Sequence, residues 1–204
     1  MIIGLILPDS GSVEVDGKDV TKMTYKELRS LRFKFGFLFQ GSALFDSMTV
    51  GENIGLSLRR HTGYTDEEIQ ERTTYALNIV ELDNVEHLMP SSLSGGMRKR
   101  VGLARAIALT PRYMLYDEPT TGLDIETADG INLLINDLRT KLGVTSIVVT
   151  HDIHSAFVTG DRFVILEGGR VLISGTKDEI QQSTDEDVRK YINSSLPTSE
   201  VQPL

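Results

Sequence analysis

Two short apolar runs, each set behind a stretch of helical periodicity, narrow the fold of this chain more than any other feature. Residues 113–116 (YMLY) and 146–149 (SIVV) have the length and composition of buried strands, and they follow helical patterns over residues 101–109 and 131–142. Such alternation predicts an α/β fold with a mostly parallel sheet. Residues 35–39 (FGFLF) add a strand that ends at Gln40-Gly41. An antiparallel β edge is also expected. Residues 12–15 run into Asp16-Gly17 as an edge strand entering a turn, and residues 163–166 and 171–173 flank Gly168-Gly169 as a hairpin. From Thr49 to about Leu88 the pattern turns helical, with Ile69, Ala76, Leu77 and Val80 at helical spacing, and reads as a helical insertion. A last helix is expected over residues 185–192, before a loose tail carrying Pro197 and Pro203.

Size and charge then limit function. The chain has 204 residues, which at roughly 150 per domain predicts one domain with a subdomain. Its 29 acidic residues outnumber 21 basic ones, and a net charge of −8 argues against a nucleic-acid partner. Absent cysteine removes disulfides, thiolate metal sites and Cys nucleophiles. No apolar run reaches the roughly 18 residues of a membrane span. Residues 1–7 (MIIGLIL) lack a basic flank and run straight into Pro8-Asp9-Ser10-Gly11, so a signal peptide is not expected and a cytoplasmic protein is.

Chemistry concentrates at the predicted carboxyl ends of strands, where ligands bind in open α/β sheets. The YMLY run ends in Asp117-Glu118-Pro119. Alternation along a strand aims adjacent carboxylates differently, so one can hold Mg²⁺ while its neighbour polarises water, as phosphoryl transfer requires. A plain acidic turn is the alternative for a lone acidic pair. Residues 93–97 (LSGGM) precede a helix over residues 98–109, with Ser94 a natural N-cap and Gly95 and Gly96 able to bring backbone N–H groups close to an anion. An ordinary capped helix start is equally compatible. Met97, Val101, Ala104 and Ile107 line one face of that helix and read as core. His151 follows the SIVV strand, where an imidazole can donate to a terminal phosphate or orient water. His151, Asp152 and His154 match no defined metal spacing, and His61 and His87 carry no role.

In order along the chain, Gln40, LSGGM, YMLYDEP, TTGLD over residues 120–124 and His151 resemble the nucleotide-binding subunit of ABC transporters across residues 1–175. The resemblance implies a P-loop NTPase-like α/β fold with ATP and Mg²⁺ as cofactors. It implies that Gln40 is the Q-loop residue, touching nucleotide and metal, and that Ser94, Gly95 and Gly96 form the signature completing a partner subunit's ATP site. Asp117 would contact Mg²⁺, Glu118 would be the general base, Asp124 would lie in the D-loop, and His151 would be the switch histidine. The implied division is an ATPase core over residues 1–48 and 111–180, a helical signature subdomain over 49–110, and a C-terminal helix and tail over 181–204.

Residues 38–53 (LFQGSALFDSMTVGEN), 93–109 (LSGGMRKRVGLARAIAL) and 116–124 (YDEPTTGLD) resemble the branch that energises Mla- and Mce-type lipid transport across the bacterial envelope. That implies a homodimer on the inner face of the membrane, a permease partner facing residues 41–58, including Glu52, and a possible Mce-type lipid-binding partner. Two other functions stay open: a non-hydrolysing fragment or regulatory subunit, and an ABC-type ATPase of DNA repair. Departing from the family pattern, the 204 residues contain no G-x-x-x-x-G-K-[ST] phosphate loop, and Gly17-Lys18 is followed by Asp19. By resemblance, residues 1–11 match the end of the helix after that loop, so the sequence is expected to begin just downstream of it.

Overall fold

Local hydrogen-bonding chemistry sets where the helices start. A computed structural model describes residues 1–195, and the tail expected around Pro197 and Pro203 lies outside the described residues. Helices α1 (Tyr25–Arg32), α2 (Val50–His61), α3 (Asp66–Ile79) and α7 (Lys177–Gln181) each open on a Thr-x-x-Glu capping box, the threonines being Thr24, Thr49, Thr65 and Thr176. Threonine and glutamate each accept the other's backbone N–H, which stabilises a helix start by about 1 kcal/mol. Ser94 caps α4 (Gly95–Ile107) and Asp124 caps α5 (Ile125–Leu142), so both helices begin earlier than their apolar periodicity alone predicts. Helix α5 stops at Gly143, whose φ of 64° is the left-handed conformation that glycine adopts without strain. Two further helices are α6 (Ile153–Thr159) and α8 (Glu186–Ser195).

The expected parallel sheet is present among the described residues, ordered β3 (Phe35–Leu38), β4 (Tyr113–Asp117), β5 (Thr145–Val149), with Phe35 opposite Tyr113 and Tyr113 opposite Thr145. The antiparallel strands form separate pairs: β1 (Glu14–Val15) with β2 (Lys18–Asp19), and β6 (Phe163–Glu167) with β7 (Arg170–Gly175). Asp16 and Gly17 join the first pair with φ of 52° and 72°, the paired positive angles of a tight hairpin turn.

One face of the sheet carries the core. Leu38, Met114 and Tyr116 are buried in a single apolar cluster with Ile54 and Leu58 of α2, Leu77 of α3, Val101 and Leu103 of α4, and Ile131 and Leu138 of α5. A smaller cluster joins Ile180, Val188 and Ile192 to Phe157 and Phe163. One expectation fails at the N-terminus. Residues 1–12 hold no helix; Gly4 sits at φ 62° and Leu5, Ile6 and Leu7 are exposed. An apolar run of this length, interrupted by Gly4 and stopped by Pro8, does not repay the cost of nucleating a helix.

The opposite face of β5 stands open, with Ile147 exposed and Val149 58% exposed, on a strand that is an edge of its sheet. Val164, Leu166 and Val171 of the β6–β7 pair are exposed as well. Apolar surface beside an unpaired strand edge promotes association. The purified chain is therefore expected to self-associate, and Ile147→Lys to raise its monomer fraction, as read by size-exclusion chromatography with light scattering; a monodisperse parent chain would contradict this.

Candidate functional site

Strand β4 delivers Asp117 and Glu118 where its pairing with β5 ends. Glu118 departs from strand geometry with φ 48°, while its N–H still donates to the Val149 carbonyl at 2.8 Å. This turns the Glu118 side chain toward the segment after β5. There the backbone N–H of His151 donates to Glu118 Oε1 at 3.0 Å, His151 Nδ1 lies 2.9 Å from Oε2, and Thr121 Oγ1 donates to Oε2 at 2.8 Å. Burial alone would raise the Glu118 pKa, but bonds from His151 and Thr121 outweigh it and hold the carboxyl below its ordinary range. The hydrogen bond and charge of Glu118 push the His151 pKa up. The product is an ionised base facing an imidazolium-prone ring that is 77% exposed.

The turn beyond Glu118 is anchored in the interior. Thr120 Oγ1 lies 3.3 Å from Ser155 Oγ, which accepts from Asn132 Nδ2 at 2.9 Å and donates to Asp152 at 2.7 Å. Asp152 and His154 are thereby committed, Asp152 as the cap of α6 and His154 to Asp129 at 3.1 Å. Among the described residues, no group of three or more His, Asp or Glu side chains is arranged to hold a metal.

Gln40 lies in the loop after β3, beside this turn, and a residue that sequence reasoning missed ties the two together. Lys99 of α4 is 4% exposed, and its Nζ donates to the Gln40 carbonyl and, at 3.0 Å, to the Glu118 carbonyl. Burial lowers its pKa, against the opposing pull of Glu118 and Asp117. Read along the sequence, Lys99 belongs to a basic run; the signal that reveals it is its place four residues before the buried Leu103, on the same face of the helix.

The remaining predicted residues form a second group, where the N-termini of α4 and α5 meet. Ser94 Oγ accepts from the Met97 N–H at 3.2 Å, and Asp124 accepts from the Thr127 N–H at 2.9 Å and Oγ1 at 2.7 Å. Gly96 has a packing duty that the sequence did not disclose. A Cβ there would stand 2.6 Å from Thr127 Cγ2, so only glycine lets the two helix starts close together. Ser94, Gly96, Met97, Arg100, Glu126 and Thr127 line an open groove. Glu52 is bound into the capping box of α2, a local structural duty beside its expected place at a permease. Gly17 lies in the β1–β2 turn and Lys18 opens β2, so this pair forms no phosphate loop.

The sequence profile of the family described as ABC transporter matches residues 1–121. The chain is 37% identical over 192 residues to the probable ribonucleotide transport ATP-binding protein Mkl of Mycobacterium leprae, covering 94% of this chain and 55% of that protein. It is 36% identical over 193 residues to the intermembrane phospholipid transport system ATP-binding protein MlaF of Escherichia coli K12, covering 95% of this chain and 72% of that one. The chain thus spans about half the length of the Mkl protein. Among solved structures, the dimeric post-hydrolysis state of the ATP-binding cassette MJ0796 bound to ADP and Pi superposes with a TM-score of 0.76 at 35% identity, covering 86% of this chain and 77% of that one.

The Glu118–His151 pair carries a pH signature. His151, raised above its ordinary 6.5, contributes stability that is full below that pH and lost as pH rises through the raised value. Glu118, lowered from 4.5, contributes above that pH and loses its contribution as pH falls through the lowered value. The pair is therefore most stabilising between these limits. Because the His151 ring is exposed, stability is expected to decline by less than about 1 kcal/mol as it deprotonates. His151→Ala should abolish that decline, as measured by urea unfolding midpoints across pH.

Proposed function

The chain belongs to the ABC transporter family, and on that premise we propose that it is the ATP-binding and hydrolysing subunit of a transporter that moves phospholipid or another lipid across the bacterial envelope. One observation carries the enzymatic half: an ionised Glu118 held by His151 and Thr121 at the end of β4, directly after Asp117. The lipid half rests on residues 38–53, 93–109 and 116–124, which resemble the Mla and Mce branch, and on the similarity to MlaF.

In this reading Glu118 orients a water molecule toward the terminal phosphorus and accepts its proton, as a new P–O bond forms and the bond to the ADP oxygen breaks. His151 keeps the carboxylate ionised and aimed, and its exposed ring is free to donate to the departing phosphate. Asp117 suits Mg²⁺. It supplies a hard, half-buried carboxylate that no described side chain ion-pairs, and Mg²⁺ typically takes only one or two carboxylates beside nucleotide phosphates. When bound, the ion neutralises charge developing on the phosphates. Gln40 supplies a side-chain oxygen from the loop after β3.

The surface where the N-termini of α4 and α5 meet, with Ser94, Gly95, Gly96 and Asp124, is offered to nucleotide held by a second copy, and the dimeric MJ0796 structure supports that arrangement. The helical part over residues 49–110 would serve as the signature subdomain, with residues 41–58 facing a permease and the pair of ATPases lying on the inner face of the membrane. An Mce-type lipid-binding protein is the further partner this branch implies. No described helix is long and apolar enough to cross a membrane.

Two measurements test the reading. Extended at its N-terminus by a phosphate-loop segment, the chain is expected to hydrolyse ATP with Mg²⁺, and Glu118→Gln to cut turnover by at least about a hundredfold while nucleotide binding persists. Near-normal phosphate release by that variant would remove Glu118 from the role of base. The chain of 204 residues itself, holding Asp117, Glu118, Gln40 and His151 but no lysine-bearing amide cradle, should bind a triphosphate weakly. Titration with a fluorescent ATP analogue and Mg²⁺ checks this, and saturable micromolar binding would contradict it.

A further inference from the structure

The loop leaving β3 is held in a conformation it would not keep by itself. Ser42 and Ala43 sit at φ 62° and 46°, left-handed angles that residues other than glycine occupy only when their surroundings impose them. The restraint comes from α4, at three positions spaced three residues apart. Lys99 donates to the Gln40 carbonyl. Gly102 lets the loop approach, since a Cβ there would stand 2.8 Å from Leu38 Cδ1 and 3.2 Å from Ser42 Cβ. Arg105 donates to the Ser42 and Ala43 carbonyls, each at 2.6 Å.

The same helix reaches the other side of the site. Glu118 is also left-handed, its N–H is taken by Val149, and its carbonyl is taken by Lys99 at 3.0 Å. We propose that Lys99 is a positioning residue that couples the loop after β3 to Glu118, because one buried ammonium holds the Gln40 and Glu118 carbonyls at a single point. A buried charge cannot release either carbonyl without losing solvation that nothing else replaces, so the two segments move together. Displacement of the loop is thereby passed to the backbone that aims the Glu118 carboxylate at His151. The inference rests on the reading of Glu118 as the base, yet its test uses neither nucleotide nor turnover.

The histidine rings of the full chain provide that test. Long-range ¹H–¹⁵N spectra at one fixed pH report the bond of His151 Nδ1 to Glu118, with Asp152 the other charge acting on the ring. His61 and His87 serve as internal references for folding. In Lys99→Met the His151 signals should lose their ion-paired position and move to that of a free imidazole while the references hold still. A pure through-space effect would do the reverse, since removing a nearby cation strengthens protonation of the ring. Unchanged or oppositely shifted His151 signals in a folded Lys99→Met protein would overturn the proposal. If that variant does not fold, Arg105→Lys decides: it loosens the loop and leaves Lys99 in place, so His151 should shift the same way by a smaller amount, and an unmoved His151 would overturn the coupling. Failure of the chain extended by a phosphate-loop segment to hydrolyse ATP would instead strike the enzymatic reading and leave these spectra unaffected.

Discussion

A strand paired on both sides must give every backbone group to its neighbours, and β4 does so against β3 and β5 until Asp117. Beyond that point the pairing runs out, and the chain has to turn at the carboxyl end of the sheet. The turn is made by a non-glycine residue in a left-handed conformation, which persists because Val149 accepts from its N–H and Lys99 donates to its carbonyl. Backbone geometry and the placement of the carboxylate are one event here. The rest of the site is arranged around that turn: His151 after β5, Thr121 within the turn, and the Thr120, Ser155 and Asn132 network beneath it.

Electrostatics then separates two kinds of charge. Glu118 and His151 lie where solvent reaches the ring, and their pairing stabilises both ionised forms at modest energetic cost. Lys99 is buried, and what offsets its desolvation is a pair of carbonyl dipoles with the more distant charges of Asp117 and Glu118. A chain with net charge −8 therefore places a cation beneath its acidic site, where it limits repulsion between adjacent carboxylates.

Glycines in the signature segment have a packing duty beside any role toward an anion. Ser94 caps α4 in the ordinary way, and Gly96 has its place because Thr127 of α5 occupies the space a side chain would need. Two helix N-termini, with their unpaired N–H groups, are thereby brought to one surface. The same economy holds in α2, where Glu52 secures a helix start by its capping box, so its charge is already engaged.

What the sequence determined was everything whose cause lies within a few residues. The Asp16-Gly17 turn, the apolar runs that became β3, β4 and β5, and the acidic pair closing YMLY are local statements, and each appears where it was expected. Helix α4 began three residues earlier than its apolar period, because a cap and not periodicity fixes the first turn. The N-terminal apolar run formed no helix, because a match to a family pattern does not supply the turns needed for nucleation. What only the tertiary structure decided was which distant groups meet: His151 with Glu118 across 33 residues, Lys99 with Gln40 across 59, and Arg105 with Ser42 across 63. Those contacts depend on how α4 lies against the ends of β3 and β4. That placement follows from burial summed over the whole core, and no local period of the sequence encodes it.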